Sequence, residues 1–191
     1  MLILASQSPR RAELLRNAGI AFTIVPADVD ESPRAGEAPP EYVARLAREK
    51  ALAVLRDAPN NALVLGSDTT VVVDGEILGK PADADDARRM LRLLSGRHHQ
   101  VITGVCIAWC DAADLPADET GVETTEVEFA PLTEAEIAAY VATGEPMDKA
   151  GSYAIQGCAS RWIPRIEGCY FNVVGLPVAR VAAMLRRREV E

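Results

Sequence analysis

The sequence predicts an α/β protein, a mixed twisted sheet flanked by helices, in a single domain over residues 1–191. Three observations carry this expectation. Short, wholly apolar runs at Leu2–Ala5 (LILA) and Ala62–Gly66 (ALVLG) suit strands buried on both faces. An Asp74-Gly75 pair between Thr70–Val73 and Glu76–Leu78 is a hairpin signal, which adds antiparallel pairing to the buried strands. Helical patterns with start and stop signals alternate with these runs, Asp83–Leu94 being the clearest.

Taken in order, the strand Leu2–Ala5 leads into a helix over roughly Pro9–Ala18, with Ser8 as its cap, Pro9 at the first helical position and Gly19 closing the pattern. Ala12, Leu14 and Leu15 are expected inward. Arg10 and Arg11 stand in the first turn, where the helix dipole prefers acids. A strand, a Ser-rich turn and a helix N-terminus bearing two arginines suit an anion such as phosphate; two solvated surface arginines are the plainer reading. Phe22–Val25 reads as a second strand and Asp28–Ser32 (DVDES) as an acidic loop. Pro39 and Pro40 open a helix to about Arg56, with Val43, Leu46, Ala47, Ala51 and Val54 on its apolar stripe. Lys50 shares that stripe, and snorkelling outward along its aliphatic stem is the commoner outcome for such a lysine.

Ala62–Gly66 delivers Ser67, Asp68 and Thr69 at a strand end, where a carboxylate is costly unless it meets a metal, a donor or a substrate. Asp68 is therefore the leading catalytic candidate. Gly79-Lys80-Pro81 places a second lysine on a turn. His98–Ala108 reads as a long central strand, with a possible bulge at Thr103-Gly104. Adjacent on a strand, His98 and His99 point to opposite faces and do not share a metal; both are expected as polar strand-edge residues. Asp111–Asp118 reads as a polar loop and Thr120–Phe129 as a strand with one exposed face. Thr133 and Glu136 form a capping box for a helix carrying Ile137, Tyr140 and Val141, stopped at Gly144. The connection Gly144–Gly157 has the length of a functional loop. Cys169–Gly175 (CYFNVVG) reads as a strand, and Pro177 opens a last helix with Val178, Val181, Ala182 and Leu185 inward and a solvated basic end at Arg186–Arg188.

Twenty basic against 28 acidic residues leave a net charge of −8, which argues against non-specific binding to nucleic acid or anionic membrane. Any cationic site must be gathered locally. The start MLILASQS lacks a basic flank and is too short in apolar residues for a signal peptide or a membrane span, so a cytoplasmic address is expected. Cys106, Cys110, Cys158 and Cys169 lack the second pair or the histidines of a zinc site and are expected as reduced, packed thiols.

Seven segments in a fixed order then make the chain resemble the Maf family of nucleoside triphosphate pyrophosphatases. They are LASQSPRR at Leu4–Arg11, Asp30-Glu31, AREKA at Ala47–Ala51, GSDTTVVVDGEILGKP at Gly66–Pro81, SGRHHQVITGV at Ser95–Val105, GEPMDKAGSYAIQG at Gly144–Gly157, and GCYFNVVGLP at Gly168–Pro177. The resemblance implies two lobes with a central cleft, as in inosine triphosphatases. It implies hydrolysis of a nucleoside triphosphate to the monophosphate and pyrophosphate with a divalent cation, magnesium or manganese, by a homodimer. Asp68 takes the position of the family's catalytic acid and, with Glu31, of its metal ligands; Ser6, Arg10, Arg11, Lys50 and Lys80 take its phosphate-binding positions. The SPRR, SDT and YAIQG spellings match the branch acting on dTTP and UTP, with Arg11 (Arg10 as the alternative), Thr69 and Gln156 as specificity residues. A glutamine amide both donates and accepts, as a pyrimidine edge requires. Ser67, Thr70 and Arg161-Trp162 depart from the usual family spelling, and none removes a charged catalytic group. The implied role is removal of unwanted nucleotides, with a link to cell-division arrest; the competing reading is a nucleotide-binding regulator of septum formation with little turnover.

Overall fold

The computed structural model describes residues 1–189. Seven strands, β1 (Leu2–Leu4), β2 (Thr23–Ile24), β3 (Leu63–Val73), β4 (Glu76–Leu78), β5 (His98–Cys110), β6 (Pro116–Glu128) and β7 (Arg165–Glu167), alternate with six helices. The helices are α1 (Pro9–Asn17), α2 (Pro39–Leu55), α3 (Ala84–Leu94), α4 (Glu134–Ala142), α5 (Tyr170–Val174) and α6 (Val178–Glu189). The strands hydrogen-bond in the order β2-β1-β3-β5-β6-β7, with β4 on β3. β1 runs parallel to β2 and β3, whereas β4 on β3 and β7 on β6 are antiparallel, so the sheet is mixed.

The chain divides into two compact units, one of Met1–Asp68, Thr103–Glu123 and the stretch from Gly175 onward, the other of Thr69–Ile102 and Thr124–Val174. In the first, α2 buries Ala47, Ala51, Val54 and Leu55 against Ile3, Ala5, Val64, Cys106 and Ala108 of the sheet. Two glycines make that packing possible. A Cβ on Gly66 would lie 2.0 Å from the Ala47 carbonyl oxygen, and one on Gly104 would lie 2.2 Å from that of Val43. Both strands therefore lie against the helix backbone itself, and Gly104 serves close approach, with β5 running on through it.

The second unit packs Ala87, Met90, Leu91 and Leu94 of α3 with Ile137, Tyr140 and Val141 of α4, and adds Val71, Val73, Leu78, Val101, Val127 and Phe129 from the strands. Local signals placed its helices well. Asp83 caps α3 by accepting from the Asp85 and Asp86 amides at 2.9 Å, and Thr133 with Glu136 closes the capping box of α4. Asp74 (φ 51°) and Gly75 (φ 82°) make the two-residue turn between β3 and β4.

Several expectations are corrected. The stretch Cys169–Gly175 is not a strand: Tyr170–Val174 is a short helix, held by Asn172, whose buried amide donates to the Val101 carbonyl and to Thr125 Oγ1, both at 2.9 Å. The strand of this region is Arg165–Glu167. Residues 116–118 belong to β6, which shortens the polar loop. The connection Gly144–Gly157 is largely built of 3-10 turns at Glu145–Asp148 and Ala150–Ser152, with a third at Cys158–Trp162 just beyond it. In α6, Met184 takes the fully inward place expected of Leu185; Arg186 and Arg187 are exposed as expected, Arg187 also pairing with Glu119, whereas Arg188 is largely covered and lies near the same carboxylate. Among the described residues, no helix is long and apolar enough to cross a membrane.

Candidate active site

The site is built in the first unit, around Asp68. β3 is one continuous strand of 11 residues, so Asp68 sits mid-strand and not at a strand end. The residue is only 8% exposed. A carboxylate so placed needs a partner, and α2 supplies one. Lys50 lies on the buried stripe and is 7% exposed; it does not snorkel to solvent. The backbone contact at Gly66 brings that face of the helix onto β3, and Lys50 Nζ donates to Asp68 Oδ1 at 2.6 Å.

The same ammonium lies 2.6 Å from Glu31 Oε1. Glu31 reaches it from an irregular segment that Arg45 laces to α2. Arg45 donates to Glu37 at 2.5 and 2.8 Å, to Glu49 at 3.1 Å and to the Ser32 carbonyl at 3.1 Å. The Arg45 bonds hold Glu37 down at about 2. Asp30 accepts from the Ser32 amide at 2.9 Å and turns the chain beside Glu31, whose own carbonyl accepts from Tyr42 Oη at 2.9 Å. Burial, followed by the negative charges of Asp68 and Glu31, pushes Tyr42 up to about 12. Two carboxylates thus converge on one cation in a region of negative field.

Arg11 organises the other edge. Ser8 caps α1, accepting from the Arg11 amide at 3.5 Å, and Ser6 Oγ accepts from the Ser8 amide at 3.2 Å. The Arg11 guanidinium donates to the Gly175 carbonyl at 2.9 Å, to Ser6 Oγ at 3.1 Å and to the Ser67 carbonyl at 2.8 Å. It thereby ties the first turn of α1 and the segment before α6 to the residue preceding Asp68. Burial lowers the Arg11 pKa, the Asp68 charge opposes that shift, and the neighbouring Arg10 charge reinforces it. Arg10, half-buried, is one residue nearer the N-terminus of the helix.

Of the residues singled out from sequence, Ser6, Arg11, Glu31, Lys50 and Asp68 are joined by these contacts, and Arg10 stands beside them. Thr69, Lys80 and Gln156 belong to the second unit. Thr69 follows Asp68 in β3 and is half-buried. Lys80 is exposed on the turn after β4, which is tied at Gly79 by the Gly151 amide at 3.1 Å. Gln156 is exposed at a turn that follows the buried run Tyr153–Ile155.

Two residue readings change. His99 is not a strand-edge residue but 2% exposed, 2.8 Å from Tyr153 Oη through Nε2 and stacked on Phe129. Burial pushes its pKa down to about 3, so it is neutral. All four cysteines are free thiols, but only Cys106 is fully buried, and Cys158 is exposed. The contributions of Arg45 and Tyr42 were not foreseen; a charged residue one position before the apolar Leu46 is the faint signal that existed for the former.

A family model described as Maf-like protein matches residues 1–188. The dTTP/UTP pyrophosphatase of Koribacter versatilis is 56% identical over 189 residues, which are 99% of this chain and 95% of that one. That of Anaeromyxobacter dehalogenans is 56% identical over 186 residues, 97% of this chain and 93% of its own, and that of Syntrophomonas wolfei is 52% identical over 185, 97% and 96%. Among solved structures, the Staphylococcus aureus Ham1 protein matches with a TM-score of 0.50 at 13% identity over 98% of each chain, a likeness of fold. The length and strength of these matches make the chain a member of the Maf family.

Proposed function

We propose that this chain hydrolyses dTTP and UTP to the monophosphate and pyrophosphate. The relatives at 52–56% identity that bear this activity in their names support the substrate class. The observation that carries the chemistry is the clasp of Lys50 between Glu31 and Asp68, each carboxylate 2.6 Å from one ammonium. A mere nucleotide binder needs cations for the phosphates and gains nothing from two acids beside them.

Water attacks the α-phosphorus, the bond to the bridging oxygen breaks, and pyrophosphate leaves with the charge that builds on that oxygen. Lys50, Lys80, Arg10 and the capped first turn of α1 with Ser6 are the groups that offset this charge. Arg11, already bonded to two carbonyls, holds Ser6 and the Asp68 strand in place as well as adding its own charge. Asp68, buried and held by Lys50, acts by orienting the attacking water.

The donor set fits magnesium or manganese. Glu31 and Asp68 are hard oxygen donors converging on one cationic position. Among the described residues no group of three or more histidine, cysteine or acidic side chains is assembled to hold an ion. Two carboxylates suit an ion that completes its shell with water and substrate phosphate. Held by Glu31 and Asp68, such an ion would supply Lewis acidity at the phosphate and would acidify water. Thr69, Gln156 and Arg11 are the residues we assign to base selection, and on the family resemblance we propose a homodimer.

Pyrophosphate release with manganese or magnesium, measured across dTTP, UTP, CTP, 7-methyl-GTP and ITP for wild type and Asp68→Asn, tests the reading. Release from dTTP and UTP that chelator and the substitution abolish is expected. An Asp68→Asn protein keeping most of its rate refutes the role of Asp68, and release from none of the five refutes the activity.

A further inference from the structure

The turn that carries Gln156 lies outside the strands, between the 3-10 turns at Ala150–Ser152 and Cys158–Trp162. Its support is a set of side chains, and one carboxylate stands at the centre of them. The Cys158 amide donates to Glu145 Oε1 at 3.1 Å and to Oε2 at 3.3 Å. On the other flank of the turn, the Ala154 amide donates to Tyr140 Oη at 3.1 Å, and that hydroxyl donates to Glu145 Oε1 at 2.7 Å. The turn closes on itself through the Gly157 amide and the Ala154 carbonyl at 3.0 Å. It also presses directly on the carboxylate, because a Cβ on Gly157 would lie 2.4 Å from Glu145 Oε1. One residue further back, Tyr153 is anchored by His99 at 2.8 Å.

We infer that Glu145 is a positioning residue that sets the nucleobase preference by fixing both flanks of the turn bearing Gln156; the inference rests on the base-selecting role proposed above for Gln156. The physical reasoning concerns donors. Two hydrogens point at Glu145, one from the Cys158 amide and one from the Tyr140 hydroxyl, and that hydroxyl in turn accepts the Ala154 amide. A carboxylate accepts from all sides, so it satisfies every donor in one conformation. An amide in its place would turn an N–H₂ group towards the Cys158 amide or the Tyr140 hydroxyl. With the N–H₂ at the Oε2 position the Cys158 amide faces a donor and keeps only Oε1; with it at the Oε1 position the Tyr140 hydroxyl and the Cys158 amide both lose their shorter bond, and either way the turn loosens. Gln156 is exposed between these two anchors, so its amide reaches a base edge in a fixed direction only while both hold. An amide that reads a pyrimidine by donating and accepting at once is sensitive to such misdirection in a way that phosphate-binding cations are not.

The test measures kcat and KM for dTTP and for CTP in wild type, Glu145→Gln, Tyr140→Phe, Gln156→Ala and the double variant Glu145→Gln/Gln156→Ala. Glu145→Gln is expected to lower the ratio of kcat/KM for dTTP over CTP about tenfold, mainly through KM for dTTP. Gln156→Ala is expected to do the same, and the double variant to do no worse than Gln156→Ala alone, because both act through one amide. Tyr140→Phe keeps the ring packed edge-on against Trp162 at 5.3 Å and removes only the relay, so it carries the same comparison should Glu145→Gln not fold. Loss of kcat on both nucleotides with the ratio kept is the signature of a merely structural role and overturns the inference. So does an unchanged ratio in Glu145→Gln and Tyr140→Phe when Gln156→Ala loses it. If Gln156→Ala itself keeps the ratio, base selection by Gln156 fails, and the inference falls with it.

Discussion

Replacing Lys50 by methionine tests whether the clasp is a structural necessity of the fold as well as part of the site. Methionine matches the length and apolar volume of the lysine stem, so the packing of α2 survives and only the charge is lost. Two unit charges at 2.6 Å attract by about 6 kcal/mol at an effective dielectric of 20. Desolvation of both groups consumes part of that. Breaking a buried pair from one side costs about 3–5 kcal/mol, since the surviving charge is stranded. Asp68, 8% exposed, is such a survivor, whereas Glu31, with its side chain 57% exposed, falls back on water and adds little. The lower end, about 3 kcal/mol, is therefore expected, which for a chain of this size lowers Tm by about 6–12 °C. Urea unfolding of wild type, Lys50→Met, Asp68→Asn and the double variant closes a cycle in which the two substitutions couple strongly and favourably. Manganese added without nucleotide is expected to raise the Tm of Lys50→Met more than that of wild type, because the position between the carboxylates is then open to an ion. Additivity within about 0.5 kcal/mol refutes the argument.

Three further outcomes follow from the rest of the structure. Gly104→Ala puts a Cβ 2.2 Å from the Val43 carbonyl oxygen and 2.5 Å from its carbon, so α2 must move off β5; soluble yield or Tm falls sharply, and a Tm within 2 °C of wild type refutes the close approach. His99, held neutral with a pKa of about 3, is protonated in the unfolded chain below roughly 6.5. The unfolded state thus binds the extra proton between those values, and stability falls as pH drops through that window by up to about 1.4 kcal/mol per pH unit. Urea midpoints from pH 7 to 4 are expected to slope less in His99→Phe than in wild type, and equal slopes refute the assignment. Iodoacetamide is expected to label the exposed Cys158 in the native protein and to spare Cys106, whose thiol burial pushes up to about 12; mass spectrometry showing early Cys106 labelling contradicts its burial.

What was readable from sequence divides by the range of the cause. Caps act over three residues, so Ser8 and Thr133 each announce a helix that the structure contains. The apolar stripe of α2 repeats over its whole length, and its inward face came out as spelled. Tyr170–Val174 failed for the opposite reason. Its aromatic and branched residues favour a strand locally, but Asn172 satisfies Val101 and Thr125 from 71 and 47 residues away, and Thr125 Oγ1 also bonds the amide and carbonyl of Cys169. Strand propensity measures fit to a half-buried pleated surface, and this segment is given a different one.

The same distinction explains why the acids and cations of the site were legible while their arrangement was not. Asp68 and Lys50 stand out because a charge within an apolar pattern demands a reason. That they serve each other depends on two glycines, Gly66 and Gly104, whose missing side chains let the backbone of α2 settle onto β3 and β5. Neither glycine carries any chemistry, and each read alone is only a weak point in a strand. Glu31 is likewise useless to the site without Arg45, which looks like an ordinary surface arginine until its bonds to Glu37, Glu49 and Ser32 show it holding down the acidic segment. Chemical groups are visible in a sequence because their cost is local. The residues that aim them escape notice because their effect exists only once distant backbone has come within a few ångströms.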